Sequence, residues 1–376
     1  MANLARIDLD AIRHNLDVVR AAAPASQVLA VVKADAYGHG MVPVARAARE
    51  HGIEWLGVAT LAEARALRDA GDTGRLLAWL WAPGDPDLDA CLVADVDVSV
   101  SSVESLHELL ARAGHLGVRP RLHLKIDTGL ARNGASPSEW PPLVAEARAA
   151  EQRGAADVVG VWSHLANADL PGHASVDAQQ QQFDAALAVA DDAGLELEVR
   201  HLANSPAAFA HPGTHHDLVR TGIAIYGVAP LATARADELG LRAAMTLTGT
   251  LALVKTIPAG TSVSYGSSWT ASTDTLIGLL PLGYADGLPR IAGNRASVLV
   301  RGVRCPIVGR IAMDQCVVVL DDVEGEVRAG AEVVVLGDAS TGAPTADEWG
   351  GWSDSIGYEI VTRMGQRVPR TYSGER

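Results

Sequence analysis

Only three of the 31 basic residues are lysines, Lys33, Lys125 and Lys255, and the first of them ends a predicted strand. The apolar run 28–32 predicts a buried parallel strand, and the Gly-His-Gly sequence at 38–40 predicts a turn after it. A desolvated amine, unlike a guanidinium, can lose its proton and form a Schiff base with a carbonyl group. Lys33 is therefore a candidate for amine chemistry; the alternative is a surface charge in a chain that prefers arginine.

The strand that carries Lys33 belongs to a longer alternation of apolar runs and helical segments. After a short opening strand at 6–9, eight runs occur, at 28–32, 55–58, 76–81, 96–100, 122–126, 158–162, 197–201 and 218–219. Thr60-x-x-Glu63 and Ser101-x-x-Glu104 have the pattern of capping boxes and predict helix starts. Eight strands alternating with helices predict a (β/α)₈ barrel.

Polar side chains follow the ends of several of these strands. In a (β/α)₈ barrel the carboxyl ends of the strands meet at one mouth, where the active site lies. We therefore expect one site to contain Lys33, Tyr37, Lys125, Asp127, Arg132, His164, His201, Asn204, Ser205 and Arg220. A lone histidine at a strand end is also commonly a structural residue.

The pattern changes after about residue 240. Period-two apolar stretches occur at 245–257, 276–280, 297–300, 306–311, 316–320 and 332–336, broken by Gly, Pro and Asp. These stretches predict a mostly antiparallel β domain. We therefore divide the chain into a barrel at 1–240 and a β domain at 241–376, and the opening strand is a candidate to pair with the second domain.

Composition narrows the classes of partner and compartment. The chain is 48% apolar, as in globular proteins, and its formal charge of −14 argues against binding nucleic acid or an acidic membrane. No run of 18 apolar residues and no signal peptide occurs. Three cysteines without metal-ligand spacing indicate reduced thiols in a cytoplasmic protein, and we expect no metal site.

Eight sequence blocks, in order along the chain, carry a family resemblance. They are AVVKADAYGHG at 30–40, LKIDTGLAR at 124–132, HLANS at 201–205, VRTGIAIYG at 219–227, VSYG at 263–266, PLGYADG at 281–287, VGRIAMDQ at 308–315 and GYE at 357–359. With these blocks the sequence resembles the alanine racemases, pyridoxal-phosphate enzymes with an N-terminal barrel and a C-terminal β domain. Asp35 stands where the family usually has asparagine, and Ala131 where it commonly has glycine.

The resemblance implies that Lys33 binds the cofactor covalently and acts as one acid/base, and that Tyr265 is the other. Inversion at an α-carbon requires removal of a proton from one face and delivery to the opposite face, so two groups must flank the cofactor. Without the other blocks, Tyr265 would be taken for a packing tyrosine. In the family the second domain of one subunit closes the barrel of the other, which implies a homodimer with composite sites.

The resemblance also implies roles for the other matched residues. Cofactor-binding residues would be Lys33, Tyr37, His164, Asn204, Ser205, Arg220, Gly222, Ile223 and Tyr358. Substrate-binding residues would be Arg132, Met313 and Tyr284, and supporting residues would be Lys125, His201 and Asp314. Lys125 matches a lysine that is carbamylated in several family members; the alternative is an ordinary contact with Asp127.

The implied activity is interconversion of L-alanine and D-alanine, which supplies D-alanine for peptidoglycan. A related racemase of broader range, for example for serine, and a pyridoxal-phosphate decarboxylase of the same architecture are the alternative enzymes. A single-barrel carrier of the cofactor is the non-enzymatic alternative. Residues 241–376 argue against the carrier, because carriers of that kind lack a second domain.

Overall fold

The computed structural model describes residues 3–375. Its strands are β1 Leu4–Asp8, β2 Gln27–Val31, β3 Trp55–Thr60, β4 Arg75–Leu80, β5 Asp97–Val100, β6 Arg121–Lys125, β7 Asp157–Trp162, β8 Val199–His201, β9 Leu218–Thr221, β10 Met245–Thr250, β11 Leu253–Ile257, β12 Ser262–Val263, β13 Trp269–Thr270, β14 Thr275–Leu280, β15 Ser297–Val300, β16 Val303–Val308, β17 Cys316–Val319, β18 Glu332–Leu336 and β19 Arg370–Ser373. Its helices are α1 Leu9–Ala22, α2 Lys33–Gly38, α3 Met41–Glu50, α4 Leu61–Asp69, α5 Leu88–Val93, α6 Val103–Leu116, α7 Trp140–Gln152, α8 Ala174–Asp192, α9 Ser205–Ala210, α10 Ala346–Trp352 and α11 Gly357–Thr362.

Eight parallel strands form a barrel in the order β8-β7-β6-β5-β4-β3-β2-β9. The barrel closes between β8 and β9, where Asp217 N donates to Arg200 O at 3.1 Å and Arg220 N donates to Ala203 O at 3.0 Å. All eight predicted runs, including the short eighth, overlap these strands. The predicted fold class, a (β/α)₈ barrel followed by a mostly antiparallel β domain, is confirmed.

The second sheet has nine strands in the order β11-β14-β17-β16-β15-β18-β10-β1-β19. The opening strand β1 lies in this sheet, antiparallel to β10 and parallel to β19. It therefore connects the first residues of the chain to strands formed by residues 245–250 and 370–373. The division of the chain at residues 240 and 241 stays a prediction.

The helix starts were predicted with mixed success. Thr60 and Glu63 form the predicted capping box of α4. The box predicted at Ser101 and Glu104 is wrong, since the N-cap of α6 is Ser102 and its partner is Ser105. Ser102 has an extended backbone, with φ −153° and ψ 160°, and helical geometry begins one residue later than the pattern indicated. No helix within residues 3–375 combines the length and apolarity that crossing a membrane requires.

The segment α2, directly after β2, is a left-handed turn. Four consecutive non-glycine residues have φ between 52° and 54°: Ala34, Asp35, Ala36 and Tyr37. This conformation costs an L-residue roughly 1–2 kcal/mol. The imidazole of His39 stabilises the turn, because its Nδ1 lies 3.0 Å from the carbonyl oxygens of both Ala36 and Tyr37. The turn places Lys33 and Tyr37 at the barrel mouth.

Candidate active site

The carboxyl ends of the barrel strands border a cavity of about 1300 Å³. Arg132, His164, Asn204 and Tyr358 line it, and the first three come from loops after β6, β7 and β8. Tyr358 comes from α11 in the C-terminal part of the chain. The structure therefore brings together four of the predicted site residues at the expected end of the barrel.

Lys33 is half-buried between aromatic rings. Its Nζ lies 5.9 Å from the ring centroid of Tyr37 and 5.8 Å from that of Trp79. Burial and the positive charge of Arg132 lower the pKa of the Lys33 amine, and the carboxylate of Glu63 partly opposes them. A lowered pKa increases the neutral fraction of the amine, which is the nucleophilic form.

Arg220 lies in β9 and is almost fully buried. Its Nη1 donates to the carbonyl oxygen of His201 at 2.8 Å, and its Nη2 donates to those of Ser163 at 2.7 Å and Leu202 at 3.0 Å. The indole ring of Trp162 packs against the guanidinium, and the distance from Arg220 Cζ to the centroid of this ring is 4.8 Å. Among residues 3–375, the hydrogen bonds of this side chain use Nη1 and Nη2, and Nε is left for another acceptor.

Small and hydroxyl-bearing residues meet between β8 and β9. The amide of Gly222 donates to Ser205 Oγ at 2.8 Å. A Cβ at Gly222 would collide with the hydroxyl of Tyr37, so only glycine fits beside this tyrosine. The ring centroid of Tyr358 lies 6.4 Å from that of Tyr37. Ile223 follows Gly222 and is buried. Hydroxyl and amide donors without bulk suit an anionic group such as phosphate.

Lys125 ends β6 and is only 4% exposed. Its Nζ lies 4.1 Å from the ring centroid of Trp162. Burial, together with the positive charges of Arg220 and Arg132, lowers the pKa of Lys125 to about 7. The amine is therefore half neutral near pH 7, which is unusual for a lysine.

Both site histidines are held neutral. His164 Nδ1 lies 3.4 Å from Arg220 Nη2, and His201 Nδ1 lies 3.3 Å from Arg220 Nη1. Burial and the nearby charge of Arg220 lower the pKa of both imidazoles well below the ordinary value. Neutral imidazoles can accept hydrogen bonds from a guanidinium, whereas imidazolium ions would repel it.

The residues predicted from the second sheet lie elsewhere on this chain. Tyr265 is 72% exposed, and Met313 and Tyr284 are also exposed. Hydrogen bonds join the neighbouring residues to the segment 310–312: Ser264 Oγ donates to Arg310 O at 2.6 Å, and Tyr284 N donates to Ala312 O at 3.1 Å. None of the three lines the cavity at the barrel mouth. Asp314 forms an ion pair with Arg367 at 2.7 Å.

Two contributors to the site had no functional role in the sequence reasoning. Glu63 was assigned only as a helix cap, yet its second oxygen accepts from Ala34 N beside Lys33 at 2.7 Å. Trp162, at the end of β7, packs against both Lys125 and Arg220. An aromatic residue at the carboxyl end of a barrel strand is the signal that would have indicated Trp162. No sequence signal connects Glu63 to residue 34.

Comparison with known families agrees with this arrangement. The family described as "Alanine racemase, N-terminal domain" matches residues 7–230, and "Alanine racemase, C-terminal domain" matches residues 244–372. An alanine racemase from Salinispora arenicola is 49% identical over 373 residues, which cover 99% of this chain and 98% of the relative.

Solved structures show the same similarity in three dimensions. The alanine racemase of D-cycloserine-producing Streptomyces lavendulae superposes with a TM-score of 0.97 at 52% identity, covering 100% of this chain and 98% of the other. The alanine racemase of Bartonella henselae, solved with covalently bound pyridoxal phosphate, has a TM-score of 0.87 at 27% identity, with coverages of 99% and 100%.

Proposed function

The chain belongs to the alanine racemase family, and as an isomerase of that family it interconverts L-alanine and D-alanine; we propose that it does so with pyridoxal phosphate in the barrel mouth and with Lys33 and Tyr265 as opposed bases. The observation that carries the mechanism is the half-buried amine of Lys33, whose pKa is lowered, close to the ring of Tyr37, whose hydroxyl lies against Gly222 and can donate to a phosphate.

The residues at the mouth fit this cofactor. Lys33 would supply the amine for its aldehyde, and Ser205, Gly222, Ile223, Asn204 and the hydroxyls of Tyr37 and Tyr358 would surround its phosphate. The close approach of Gly222 to Tyr37 leaves no room for a Cβ at this end of the site. The free Nε of Arg220 would face the ring nitrogen, which accepts a hydrogen bond.

When bound, pyridoxal phosphate withdraws electrons from the amino acid and makes its α-hydrogen acidic. Lys33 removes or returns that proton on one face. Arg220 would donate to the ring nitrogen as a cation, which would keep this nitrogen unprotonated and limit side reactions. Arg132 would bind the carboxylate of the substrate, since guanidinium and carboxylate groups form charge-assisted hydrogen bonds.

The second base would come from another subunit. Tyr265 is 72% exposed on its own chain. In a homodimer, the exposed segment with Tyr265, Tyr284 and Met313 would cover the barrel mouth of the partner. Each site would then combine Lys33 of one chain with Tyr265 of the other. Tyr284 and Tyr358 would narrow the entrance, which favours a methyl side chain over a larger one.

Lys125 would be carbamylated. Its ammonium form first releases one proton; the neutral amine then adds to carbon dioxide, a nitrogen–carbon bond forms as one carbon–oxygen π bond opens, and a second proton is lost, so that a cation becomes an anion. The product would lie among the cations Arg132, Arg220 and Lys33, whose charges lower the pKa of the free amine. An anion there attracts Arg132, whereas the ammonium ion repels it.

Alanine rather than serine is the proposed main substrate, and D-alanine would serve peptidoglycan synthesis. The decarboxylase reading is not favoured, because the relatives in both comparisons are alanine racemases.

The test is to incubate the holoenzyme with L-alanine in heavy water and follow optical rotation and α-deuterium together. Loss of rotation with deuterium entry at the α-carbon is expected. Deuterium entry without loss of rotation would contradict a two-base site, and repetition with L-serine ranks the substrates.

A further inference from the structure

A column of buried polar side chains runs through the barrel beneath the proposed cofactor site. Asp97 begins β5, His123 is the middle residue of β6, His201 ends β8, and Arg220 lies in β9. Each is at most 4% exposed. Barrel interiors are normally filled by branched apolar side chains. The mechanism proposed above gives no role to Asp97 or His123, although burying them without a partner would be costly.

The four side chains form a continuous series of hydrogen bonds. Arg220 Nη1 lies 3.3 Å from His201 Nδ1, and His201 Nε2 lies 3.0 Å from His123 Nδ1. His123 Nε2 lies 3.1 Å from Asp97 Oδ2. The series therefore connects the amino end of the barrel strands with the guanidinium at their carboxyl end.

Asp97 is fixed as an ionised acceptor. Arg75 Nη2 donates to its Oδ2 at 2.7 Å, and Arg121 Nε donates to its Oδ1 at 2.6 Å. Burial by itself raises the pKa of Asp97, but hydrogen bonds from His123 and Arg75 and the charge of Arg75 outweigh it and lower the pKa to about 2. At neutral pH this carboxylate can only accept hydrogen bonds.

The two ends determine the protons between them. An ionised Asp97 requires a proton on His123 Nε2, and Arg220, which only donates, requires a lone pair on His201 Nδ1. His201 must then carry its proton on Nε2 and donate it to His123 Nδ1. If His123 Nδ1 carried a proton, His201 Nε2 would have to accept its hydrogen bond. The single proton of His201 would then be on Nδ1 and would point at the guanidinium, which has no lone pair to accept it. One arrangement alone gives every contact a single donor and a single acceptor: two neutral imidazoles, each protonated on Nε2.

The surrounding structure is built to hold these rings. Gly160 of β7 lies against His123, and a Cβ there would collide with the imidazole. Trp162 stacks on His201, with ring centroids 5.5 Å apart and planes 3° from parallel. These contacts hold the orientation of both rings, and the charges at the two ends of the series set the direction of the hydrogen bonds.

We propose that Asp97 and His123 are positioning residues for racemisation, which act through His201 to orient Arg220 and to stabilise its positive charge beneath the cofactor ring. This inference rests on the proposed function. Each imidazole in the series is polarised by the carboxylate behind it, so that His201 Nδ1 becomes a stronger acceptor for Arg220. The effect reaches the reacting atoms although neither residue touches them.

The test compares Asp97→Asn with Glu198→Gln in the holoenzyme. Asparagine removes the charge at the end of the series with little change in volume. The control removes charge from a second partner of Arg75, since Glu198 lies 2.7 Å from that guanidinium at the same end of the barrel and outside the series. His123→Gln changes the series at a different point, because an amide replaces the imidazole ring through which Asp97 polarises His201.

The primary measurement is nuclear magnetic resonance of ¹⁵N-histidine-labelled holoenzyme, which reports the tautomer and the N–H proton of each buried imidazole. Wild type should show two Nε2-protonated rings with N–H signals shifted downfield, and Asp97→Asn should move both. We expect kcat to fall about tenfold in Asp97→Asn and His123→Gln, with KM nearly unchanged and a shift of the cofactor's visible absorption band. Glu198→Gln should match wild type in all three readouts.

Unchanged His201 signals in a folded Asp97→Asn protein, or Nδ1-protonated rings in wild type, would overturn the inference. If Asp97→Asn does not fold, an unchanged kcat and absorption band in His123→Gln would overturn it equally. The proposed function fails separately: a wild-type protein with the expected tautomers but without racemisation retains the hydrogen-bonded series and refutes the reaction.

Discussion

The carboxylate of Glu63 accepts a hydrogen bond of 2.7 Å from the backbone N–H of Ala34, the residue directly after Lys33. Its other oxygen accepts from Ala59 N at 2.9 Å and Thr60 N at 3.1 Å at the start of α4. One side chain thus caps a helix and stabilises the left-handed turn that carries the amine. It also places a negative charge near Lys33.

Glu63→Gln should lower the pKa of Lys33 further. The Glu63 charge raises this pKa, so its removal enlarges the neutral fraction of the amine at a given pH below the pKa. The rate at which the apoprotein combines with pyridoxal phosphate should then reach its plateau at lower pH. Thr60→Ala is the matched control, because it weakens the same cap by about 1 kcal/mol without changing charge. Identical pH profiles of Glu63→Gln and wild type would contradict the electrostatic role.

Tyr265→Phe should retain bound cofactor and its visible absorbance and lose racemisation by about 10²–10⁴-fold, the contribution typical of one general acid/base. The remaining base, Lys33, should still exchange the α-hydrogen of one enantiomer. Deuterium incorporation and optical rotation, measured separately from L-alanine and D-alanine, distinguish the two effects. Full racemisation in this variant would exclude Tyr265 as a base.

Two inactive variants should complement each other if the site is composite. When equal amounts of the Lys33→Ala and Tyr265→Phe proteins exchange subunits, half of the resulting dimers contain one chain of each variant. Each of these heterodimers has one intact site. Activity should recover to about a quarter of wild type. As a control, mixing Lys33→Ala with the double variant Lys33→Ala/Tyr265→Phe should restore no racemase activity. No recovery between exchanging single variants would mean that both residues act within one chain.

Labelled carbon dioxide should modify Lys125. Since the pKa of its amine is about 7, the neutral form that reacts increases as the pH rises through 7. A carbamate ¹³C signal, measured from pH 6 to 8.5, should grow over that range and be absent from Lys125→Arg, whose guanidinium does not form it. Lys255, exposed on β11, serves as the internal control and should not be labelled. A signal that persists in Lys125→Arg would refute the assignment.

Ala131→Gly should stabilise the fold by about 0.5 kcal/mol. Ala131, exposed next to Arg132, has φ 57°, a conformation that favours glycine by more than the conformational entropy glycine loses on folding. Urea unfolding of the two proteins measures the difference. Ala70→Gly is the control, because Ala70 is exposed with φ −81° and should lose stability on the same change. Equal losses in both variants would show that the backbone at residue 131 is not strained.

Apolar periodicity was sufficient to predict the barrel, because most residues of its strands are buried and some of the following helices have local capping signals, as α4 has in Thr60 and Glu63. The strands β12 and β13 escaped prediction because each has only two residues, and β19 because its sequence Arg-Thr-Tyr-Ser is mostly polar and no residue of it is fully buried. The cap at Ser102 was misplaced by one residue, because adjacent serines give the same local signal.

Some residues of the site could be predicted and others could not, for a related reason. Lys33, Arg220 and Ser205 stand at strand ends, and the fold alone brings strand ends together. Asp97 and His123 lie inside β5 and β6, where a polar residue in a strand gives no indication of its partner across the barrel. Tyr265 shows a further limit: its sequence block is recognisable, but its own chain leaves it exposed, and its place in a site depends on a second copy.

The position of β1 has a consequence for synthesis on the ribosome. Leu4–Asp8 is translated more than 230 residues before either of its neighbouring strands, Met245–Thr250 and Arg370–Ser373. Chains emerge at about 5–20 residues per second, so β1 stays without its neighbouring strands for at least about ten seconds. An unpaired strand attracts other chains. The barrel can form in the meantime, but one side of β1 remains unpaired until β19 has also been synthesised.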